Sequence, residues 1–398
     1  MDIKVFSKTE ESKEKYDISF LNHDVAQRIY SYHKSYPMYE ETPLVDLKEQ
    51  AENLGVSKIL VKDESYRFGL NAFKVLGGSY AIGKVVADKL GIDLKDLPFE
   101  KLISDEVREE LGEMTFITAT DGNHGRGVAW AANQLKQKAI VYMPKGTVEE
   151  RVKNIEKEGA KVVVHDGNYD EAVRYANELA EKHGYIMVQD TAWDGYEDIP
   201  RWIMQGYMTL AWEMYSRMEK EEIKPTHVFL QAGVGSFAAA VTGFLASMYK
   251  EDKPSIIIVE PSTVACIYES ARANERVLIG GNHETIMAGL ACGEPNTFGL
   301  KVLLDYADHF ISATDEFAAH GMRVLGNPMG DDKKVISGES GAASFGAIAK
   351  VLSDERFASV KEELKIDENS VLLFVSTEGD TDKDNYEKIV WDGKYQSL

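Results

Sequence analysis

Between residues 139 and 190 short apolar runs alternate with amphipathic stretches, and this alternation restricts the fold more than any other feature of the chain. Residues 139–143, Ala-Ile-Val-Tyr-Met, read as a buried strand, with a turn at Pro144-Lys-Gly-Thr147. Residues 148–157 then read as a helix with Val148, Val152 and Ile155 on one face. Residues 161–165 form the next expected strand, 169–183 the next helix and 185–188 a further strand. Strands alternating with helices at this spacing imply right-handed βαβ units and a parallel sheet. A second block repeats the pattern, with strands expected at 226–231 and 255–259 around a glycine loop and a helix running through Ala238 to Tyr249. Near the end, residues 371–375 read as a buried strand leading into Ser376-Thr-Glu-Gly-Asp-Thr-Asp382. The expected class is α/β. Open α/β sheets bind ligands beyond the carboxyl ends of their strands, so the loops that follow strands are the ones to search for chemistry.

A chain of 398 residues exceeds what one core usually supports, and two domains are expected. With 45 basic and 66 acidic residues the net charge is −21, which argues against a nucleic-acid partner. Any anionic ligand must therefore be met by a local positive or dipolar feature. No run approaches the roughly 20 apolar residues of a membrane span, and the start of the chain predicts no secretory leader. Cys266 and Cys292 are the two cysteines, too few for a disulfide framework or a cysteine metal cluster, and no metal site is expected. A reduced, cytoplasmic setting follows, with the pair read either as buried thiols or as a redox-sensitive couple.

Lys74 lies between Phe73 and Val75 at the start of an apolar helical stretch. An amine that must form a Schiff base needs a lowered pKa, which an apolar pocket supplies. Taken alone, Lys74 could equally be a surface lysine whose stem covers apolar neighbours. The run Thr118-Ala-Thr-Asp-Gly-Asn-His-Gly-Arg-Gly127 sits between an expected strand at 114–117 and a helix at 128–132. Its glycines let backbone approach a ligand and leave amides free at a helix start, a natural carboxylate site. Asn123 can hydrogen-bond a phenolic oxygen, while His124 reads more readily as structural than as a base. Gly233-Val-Gly-Ser-Phe-Ala238 follows a strand and opens a helix, so it reads as a phosphate cradle. It also satisfies a dinucleotide fingerprint, with Glu260 where a ribose-binding acid would sit, so a nicotinamide-dependent oxidoreductase stays open. The hydroxyls of Ser376 and Thr377 suit an unprotonated pyridine nitrogen, and Glu339 in Ser337-Gly-Glu-Ser-Gly-Ala342 is expected near the same cleft.

Asn71-Ala-Phe-Lys74, Asp121-Gly-Asn-His-Gly125, Gly233-Val-Gly-Ser236 and the late serine loop occur in one order along the chain. That order resembles the fold type II pyridoxal phosphate enzymes, the group of tryptophan synthase β-subunit, threonine deaminase and cysteine synthase. Longer stretches, among them Gln189-Asp-Thr-Ala-Trp193, Ile203-Met-Gln-Gly-Tyr207 and Thr285-Ile-Met-Ala-Gly-Leu-Ala-Cys-Gly-Glu-Pro-Asn296, look like the diaminopropionate ammonia-lyase family. The resemblance implies pyridoxal 5'-phosphate as cofactor, a homodimer, and elimination of both isomers of 2,3-diaminopropionate to pyruvate and two ammonia. It implies two open, twisted, mainly parallel sheets with helices on both faces and the cofactor in the cleft between them. The expected division is a large domain of residues 1–80 and 190–398 and a small inserted one of 81–189. Lys74 would form the internal aldimine and act as base, with Asp121 as second base for the D isomer and Asp190 near the substrate. Gly233, Val234, Gly235 and Ser236 would hold the phosphate, Asn123 the ring hydroxyl side, and Ser376 or Thr377 the ring nitrogen, with Glu339 nearby. Thr120, Asp121, Gly122, His124 and Asp190 would meet the substrate.

Overall fold

Isoleucine and valine runs buried on both faces set the architecture. The computed structural model describes residues 1–9, 14–120, 122–281 and 283–396. Its larger sheet has seven strands in the order β1-β10-β9-β8-β11-β3-β2. These are β1 (Ile3–Ser7), β2 (Leu44–Asp46), β3 (Lys58–Asp63), β8 (His227–Gln231), β9 (Ser255–Pro261), β10 (His309–Ala313) and β11 (Val371–Ser376). The smaller sheet, in the order β6-β5-β4-β7, contains β4 (Thr115–Ala119), β5 (Lys138–Met143), β6 (Lys161–Val164) and β7 (Ile186–Met187). Every pairing is parallel except those of the edge strands β1 and β2. Ile256, Ile257, Ile258 and Val259 in β9 are essentially inaccessible, as a parallel strand covered on both faces requires.

Strand order makes two switch points. In the larger sheet β9 and β10 follow β8 to one side, while β11 lies on its other side. In the smaller sheet β5 and β6 follow β4 to one side and β7 takes the other. Ligands bind where such an order reverses. The loops at these points are 232–235 after β8, 377–382 after β11, 120–122 after β4 and 188–197 after β7.

The helices are stopped and started by local chemistry. Helix Tyr169–His183 begins with a capping box, in which Asn168 Oδ1 accepts from Glu171 N at 2.9 Å and Glu171 Oε2 accepts from Asn168 N at 2.8 Å. It ends at Gly184, which has φ +69°. Helix Ser236–Tyr249 is buried from Ser236 through Ala246, so its first turn is held rigidly under the larger sheet's switch point.

Helix Val75–Leu90 joins the two halves, and it runs unbroken through residues 80 and 81. On one side its Gly77 meets helix Asp198–Gly206, where a Cβ on Gly206 would fall 2.4 Å from the Leu76 carbonyl oxygen. On the other side it meets helix Asn123–Gln134, where a Cβ on Gly127 would lie 2.8 Å from Val75 Cα and 2.9 Å from Val75 N. Those atoms are backbone and cannot rotate away. Gly127→Ala gains about 1 kcal/mol of helix propensity, but overpacking of this kind costs about 1–3 kcal/mol. The variant should lose stability, read as a lower midpoint in urea. A midpoint equal to or above the parent's would show that the two helices can part freely.

Candidate active site

Loops from both switch points and the segment leading into helix Val75–Leu90 meet in one crevice. Lys74 is the residue just before that helix, and an isolated β-bridge made of two backbone hydrogen bonds holds its segment against the loop after β11. Gly379 N donates to Asn71 O at 3.0 Å, Phe73 N donates to Thr377 O at 3.1 Å, and Ala72 bridges to Glu378. The amine does not point into solvent. Lys74 Nζ donates to Asp190 Oδ2 at 2.6 Å and lies 5.6 and 5.9 Å from the ring centres of Phe73 and Tyr207.

Asp190 follows β7, and it is buried rather than at the crevice mouth, with its side chain 4% exposed. Gln189 Nε2 and the Tyr169 hydroxyl both donate to its Oδ1 at 3.3 Å. Gln189 is itself pinned, its Oε1 accepting from Thr118 Oγ1 at 2.8 Å and from Ala119 N at 3.0 Å. Burial alone would raise the Asp190 pKa, but the Lys74 charge and hydrogen bonds from Lys74 and Tyr169 outweigh it and hold the carboxyl below the ordinary range. The Asp190 main-chain carbonyl accepts from Ser236 Oγ at 2.7 Å and Asn296 Nδ2 at 3.0 Å.

The glycine turn lines the same crevice as Lys74. Gly235 has φ +92° and immediately precedes helix Ser236–Tyr249, whose first amides have no carbonyl partner within the helix. A side chain at Gly233 would press on backbone, 3.1 Å from Leu290 Cα and 3.2 Å from Gly289 O. Val234 is buried and its carbonyl accepts from Asn296 N at 2.8 Å. The Ser236 hydroxyl is committed to Asp190, so an anion in this turn would be met by main-chain amides and not by that side chain.

Of the two late hydroxyls only Thr377 lines the crevice. Gln231 Nε2 donates to Thr377 Oγ1 at 3.0 Å, and among the described residues that hydroxyl makes no other hydrogen bond, so its own proton remains to be donated. Ser376 Oγ instead donates to Ser337 Oγ at 2.8 Å. Glu339 is turned away as well, accepting from Asn385 Nδ2 at 2.5 Å, with burial and then Glu378 pushing its pKa up to about 7.

Thr120 Oγ1 accepts from Gly122 N at 2.9 Å, and both precede helix Asn123–Gln134. His124 Nε2 lies 2.7 Å from the Val188 carbonyl oxygen, which can only accept, so that nitrogen carries the proton. Burial pushes the His124 pKa down, which favours the neutral ring, and among the described residues Nδ1 has no hydrogen-bond partner. Asp121 lies outside the described residues. Sequence reasoning missed Tyr169, Gln231 and Glu378, which line the crevice. Glu378 stood inside a quoted motif, whereas Tyr169 carries no signal beyond a helix start. Cys266 and Cys292 are buried, Cys266 Sγ donating to the Cys292 carbonyl at 3.3 Å.

The dinucleotide alternative fails at its acid. Glu260 Oε1 accepts from Ile267 N at 2.8 Å and Oε2 from Tyr268 N at 2.6 Å, so both oxygens are occupied in capping helix Cys266–Ala273. Burial pushes its pKa up to about 8.

The family model for pyridoxal-phosphate dependent enzymes matches residues 36–363. The chain belongs to that family. It is 51% identical to a diaminopropionate ammonia-lyase of Escherichia coli (strain K12) over 365 residues, 92% of this chain and 90% of that protein. The crystal structure of an Escherichia coli diaminopropionate ammonia lyase in complex with D-serine superposes with a TM-score of 0.94 at 47% identity, covering 99% of this chain and 98% of that one. The Escherichia coli enzyme with an aminoacrylate-PLP azomethine reaction intermediate gives a TM-score of 0.91 at 47% identity with the same coverage. Within the pyridoxal-phosphate dependent enzymes the chain is thus a fold type II member of the diaminopropionate ammonia-lyase family, a lyase whose cofactor is pyridoxal phosphate. The crevice fits that cofactor in kind, with a half-buried primary amine, a glycine turn whose amides open a helix for a phosphate and a hydroxyl proton for a ring nitrogen.

The Lys74–Asp190 contact makes a prediction about pH. A carboxyl held below its ordinary pKa adds stability that is fully present above the unfolded value, about 3.9 for Asp. That stability is lost only as pH falls through the lower folded value. In cofactor-free protein Asp190→Asn should therefore be less stable than the parent by about 2 kcal/mol. The gap should be equal at pH 7 and pH 5 and should close in stronger acid. Urea unfolding of both proteins across that range checks it. A gap already closed at pH 5 would contradict the assignment.

Proposed function

We propose that this enzyme eliminates the β-amino group of 2,3-diaminopropionate, accepting both the L and D isomers and releasing pyruvate and two ammonia. One observation carries the proposal: the Lys74 amine and the Asp190 carboxylate meet at 2.6 Å in the crevice that the glycine turn also lines. The names of the relatives at about half identity support the substrate class.

Pyridoxal phosphate, when bound, supplies an electron sink for the pair left behind as the α-proton departs. The protein's share is positioning and proton transfer. Amides of Gly233, Val234, Gly235 and Ser236 would hold the phosphate, helped by the helix dipole. Thr377 would donate to the ring nitrogen and so keep it unprotonated, and Asn123 would meet the ring hydroxyl. Amides in the first turn of helix Asn123–Gln134, beside Thr120 and Gly122, would take the substrate carboxylate, since Thr120 N and Gly122 N already donate to Tyr142 O and Thr120 Oγ1.

Lys74 is the base for one enantiomer. Its ammonium form, produced when it takes the α-proton, is stabilised by Asp190, which makes the amine a stronger proton acceptor. A base on one face serves one enantiomer, so turnover of the other needs an acceptor on the opposite face, and Asp121 is assigned that role. The two ammonium groups of the substrate also favour a site with two carboxylates, Asp121 and Asp190. The β-nitrogen leaves as ammonia, and one water then releases the α-nitrogen as the second ammonia, giving pyruvate. His124, neutral and buried, is assigned to substrate contact rather than proton transfer.

The same proposal includes a large unit of residues 1–80 and 190–398 and a small one of 81–189. It also includes a cytoplasmic homodimer, for which the family resemblance is the support. Among the described residues no helix is long and apolar enough to cross a membrane.

The purified enzyme should be yellow, and borohydride should bleach it. Lys74→Ala should lose both the colour and turnover. Pyruvate formation should be faster with diaminopropionate than with serine or threonine. Asp121→Asn should lose at least about tenfold more turnover on the D isomer than on the L isomer, one tenfold step being about 1.4 kcal/mol of barrier. Equal losses on both isomers, or faster turnover of serine or threonine, would overturn the respective assignments.

A further inference from the structure

Glu378 has no role in the mechanism above, yet the fold makes a place for it inside the crevice. It is 3% exposed and follows Thr377 in the loop after β11. Its main chain is anchored twice, its carbonyl accepting from Gly338 N at 2.9 Å and its backbone bridging to Ala72, two residues before Lys74. Two glycines give it room. A Cβ on Gly338 would lie 3.1 Å from Glu378 Cγ and Oε1, and one on Gly341 would lie 2.8 Å from Glu378 O.

The carboxylate divides between two donors. Oε1 accepts from Ser340 N at 3.0 Å, in the first turn of helix Glu339–Ser353. Oε2 accepts from Asn123 Nδ2 across the crevice, from the first residue of helix Asn123–Gln134. A carboxamide has a broad, roughly two-fold preference about its last torsion, so its oxygen and nitrogen can exchange places at little intrinsic cost. A carboxylate only accepts. Beside Glu378, therefore, Asn123 must present its NH2 end, and the second hydrogen of that NH2 is left for another acceptor.

We propose that Glu378 is a positioning residue that sets the flip of the Asn123 carboxamide, so that an N–H and not the amide oxygen is offered to the ring hydroxyl of pyridoxal phosphate. The proposal rests on the assignment of Asn123 to that hydroxyl. It adds that the assignment works only with a pure acceptor at position 378. A rival role, capping helix Glu339–Ser353 through Ser340 N, would need an oxygen there and nothing more.

Glu378→Gln separates the two roles. Its side-chain oxygen can still accept from Ser340 N, which turns its NH2 toward Asn123 and forces that carboxamide to present oxygen. Apo-enzyme of the parent, Glu378→Gln, Asn123→Ala and the double variant is titrated with pyridoxal phosphate, reading the dissociation constant and the absorption maximum of the bound cofactor. Thermal unfolding of each apo form is recorded alongside. Glu378→Gln should melt with the parent, bind pyridoxal phosphate about tenfold more weakly and move the absorption maximum. Asn123→Ala should do the same, and the double variant should add nothing to either single change. If Glu378→Gln does not fold, Glu378→Ala takes its place in the same comparison, again with no further loss in the double variant. A parent-like dissociation constant and spectrum at position 378 alongside a clear Asn123→Ala effect would overturn the inference and leave the Asn123 assignment standing. Additive losses in the double variant would overturn it equally. No effect of Asn123→Ala would remove both.

Discussion

The contact between Lys74 and Asp190 joins a residue at the head of helix Val75–Leu90 to one that follows the last strand of the smaller sheet, so it spans the two halves of the fold. Two charges 2.6 Å apart attract strongly in a low-dielectric site, but removing them from water opposes the gain by a similar amount. The pair therefore contributes more to position than to net stability. Around it the hydrogen bonds are chosen to leave little freedom. Gln189 is held by Thr118 Oγ1 and Ala119 N before it reaches Asp190, and Tyr169 reaches the same carboxylate oxygen from the start of helix Tyr169–His183. Asp190 also connects the amine to the glycine turn: its side chain takes Lys74 and its main-chain carbonyl takes Ser236. One residue thus sets the distance between the Lys74 amine and the glycine turn.

How much of this was legible beforehand depended on whether a signal was local. Helix Tyr169–His183 was read with its observed bounds because its capping box and terminal glycine are sequence features. The strand expected at 161–165 ends at Val164, and that expected at 185–188 is only Ile186–Met187. Strands β3 and β10 were not foreseen, and neither were β1 and β2. The latter two are short antiparallel edges whose residues, such as Ile3-Lys-Val-Phe-Ser7, lack the unbroken β-branched run of a buried parallel strand. The choice between Ser376 and Thr377 was illegible for a different reason. Neighbours in extended chain face opposite ways, and their parity depends on where the strand sits in the sheet. Glu339 was expected at the cleft from its glycine-rich setting, but its direction is decided by Asn385, 46 residues away. Asp190 was expected near the substrate, but its ion-pair partner could not be read locally, because Lys74 lies 116 residues away.

The glycine-turn motif shows why a pattern can point to a chemistry and stay silent about identity. A glycine turn opening a helix after a parallel strand offers the same amides to any phosphate, and Gly233 to Ala238 satisfies that description for more than one cofactor. The discriminating information lies in the next strand. Glu260 occupies the sequence position of a ribose-binding acid, but its carboxylate folds back onto the amides of Ile267 and Tyr268. An acid buried against a helix start within its own strand-to-helix connection is not presented to a diol.

A phosphate approaching that turn would meet a protein with a net charge of −21. The overall charge is a weak obstacle, because exposed charges farther than about 8–10 Å are largely screened at ordinary ionic strength. Buried amides at the head of a helix are not screened in this way. Helix Ser236–Tyr249 is enclosed through its first eleven residues, so its dipole acts through protein rather than through water. An anion held at the start of so fully buried a stretch of helix would let a strongly acidic surface coexist with recognition of an acidic ligand. The same enclosure raises the stakes for every polar group around it. Gln231, Thr377, Asp190, Ser236 and Asn296 are each tied to a named partner because an unpaired group at that depth would be expensive.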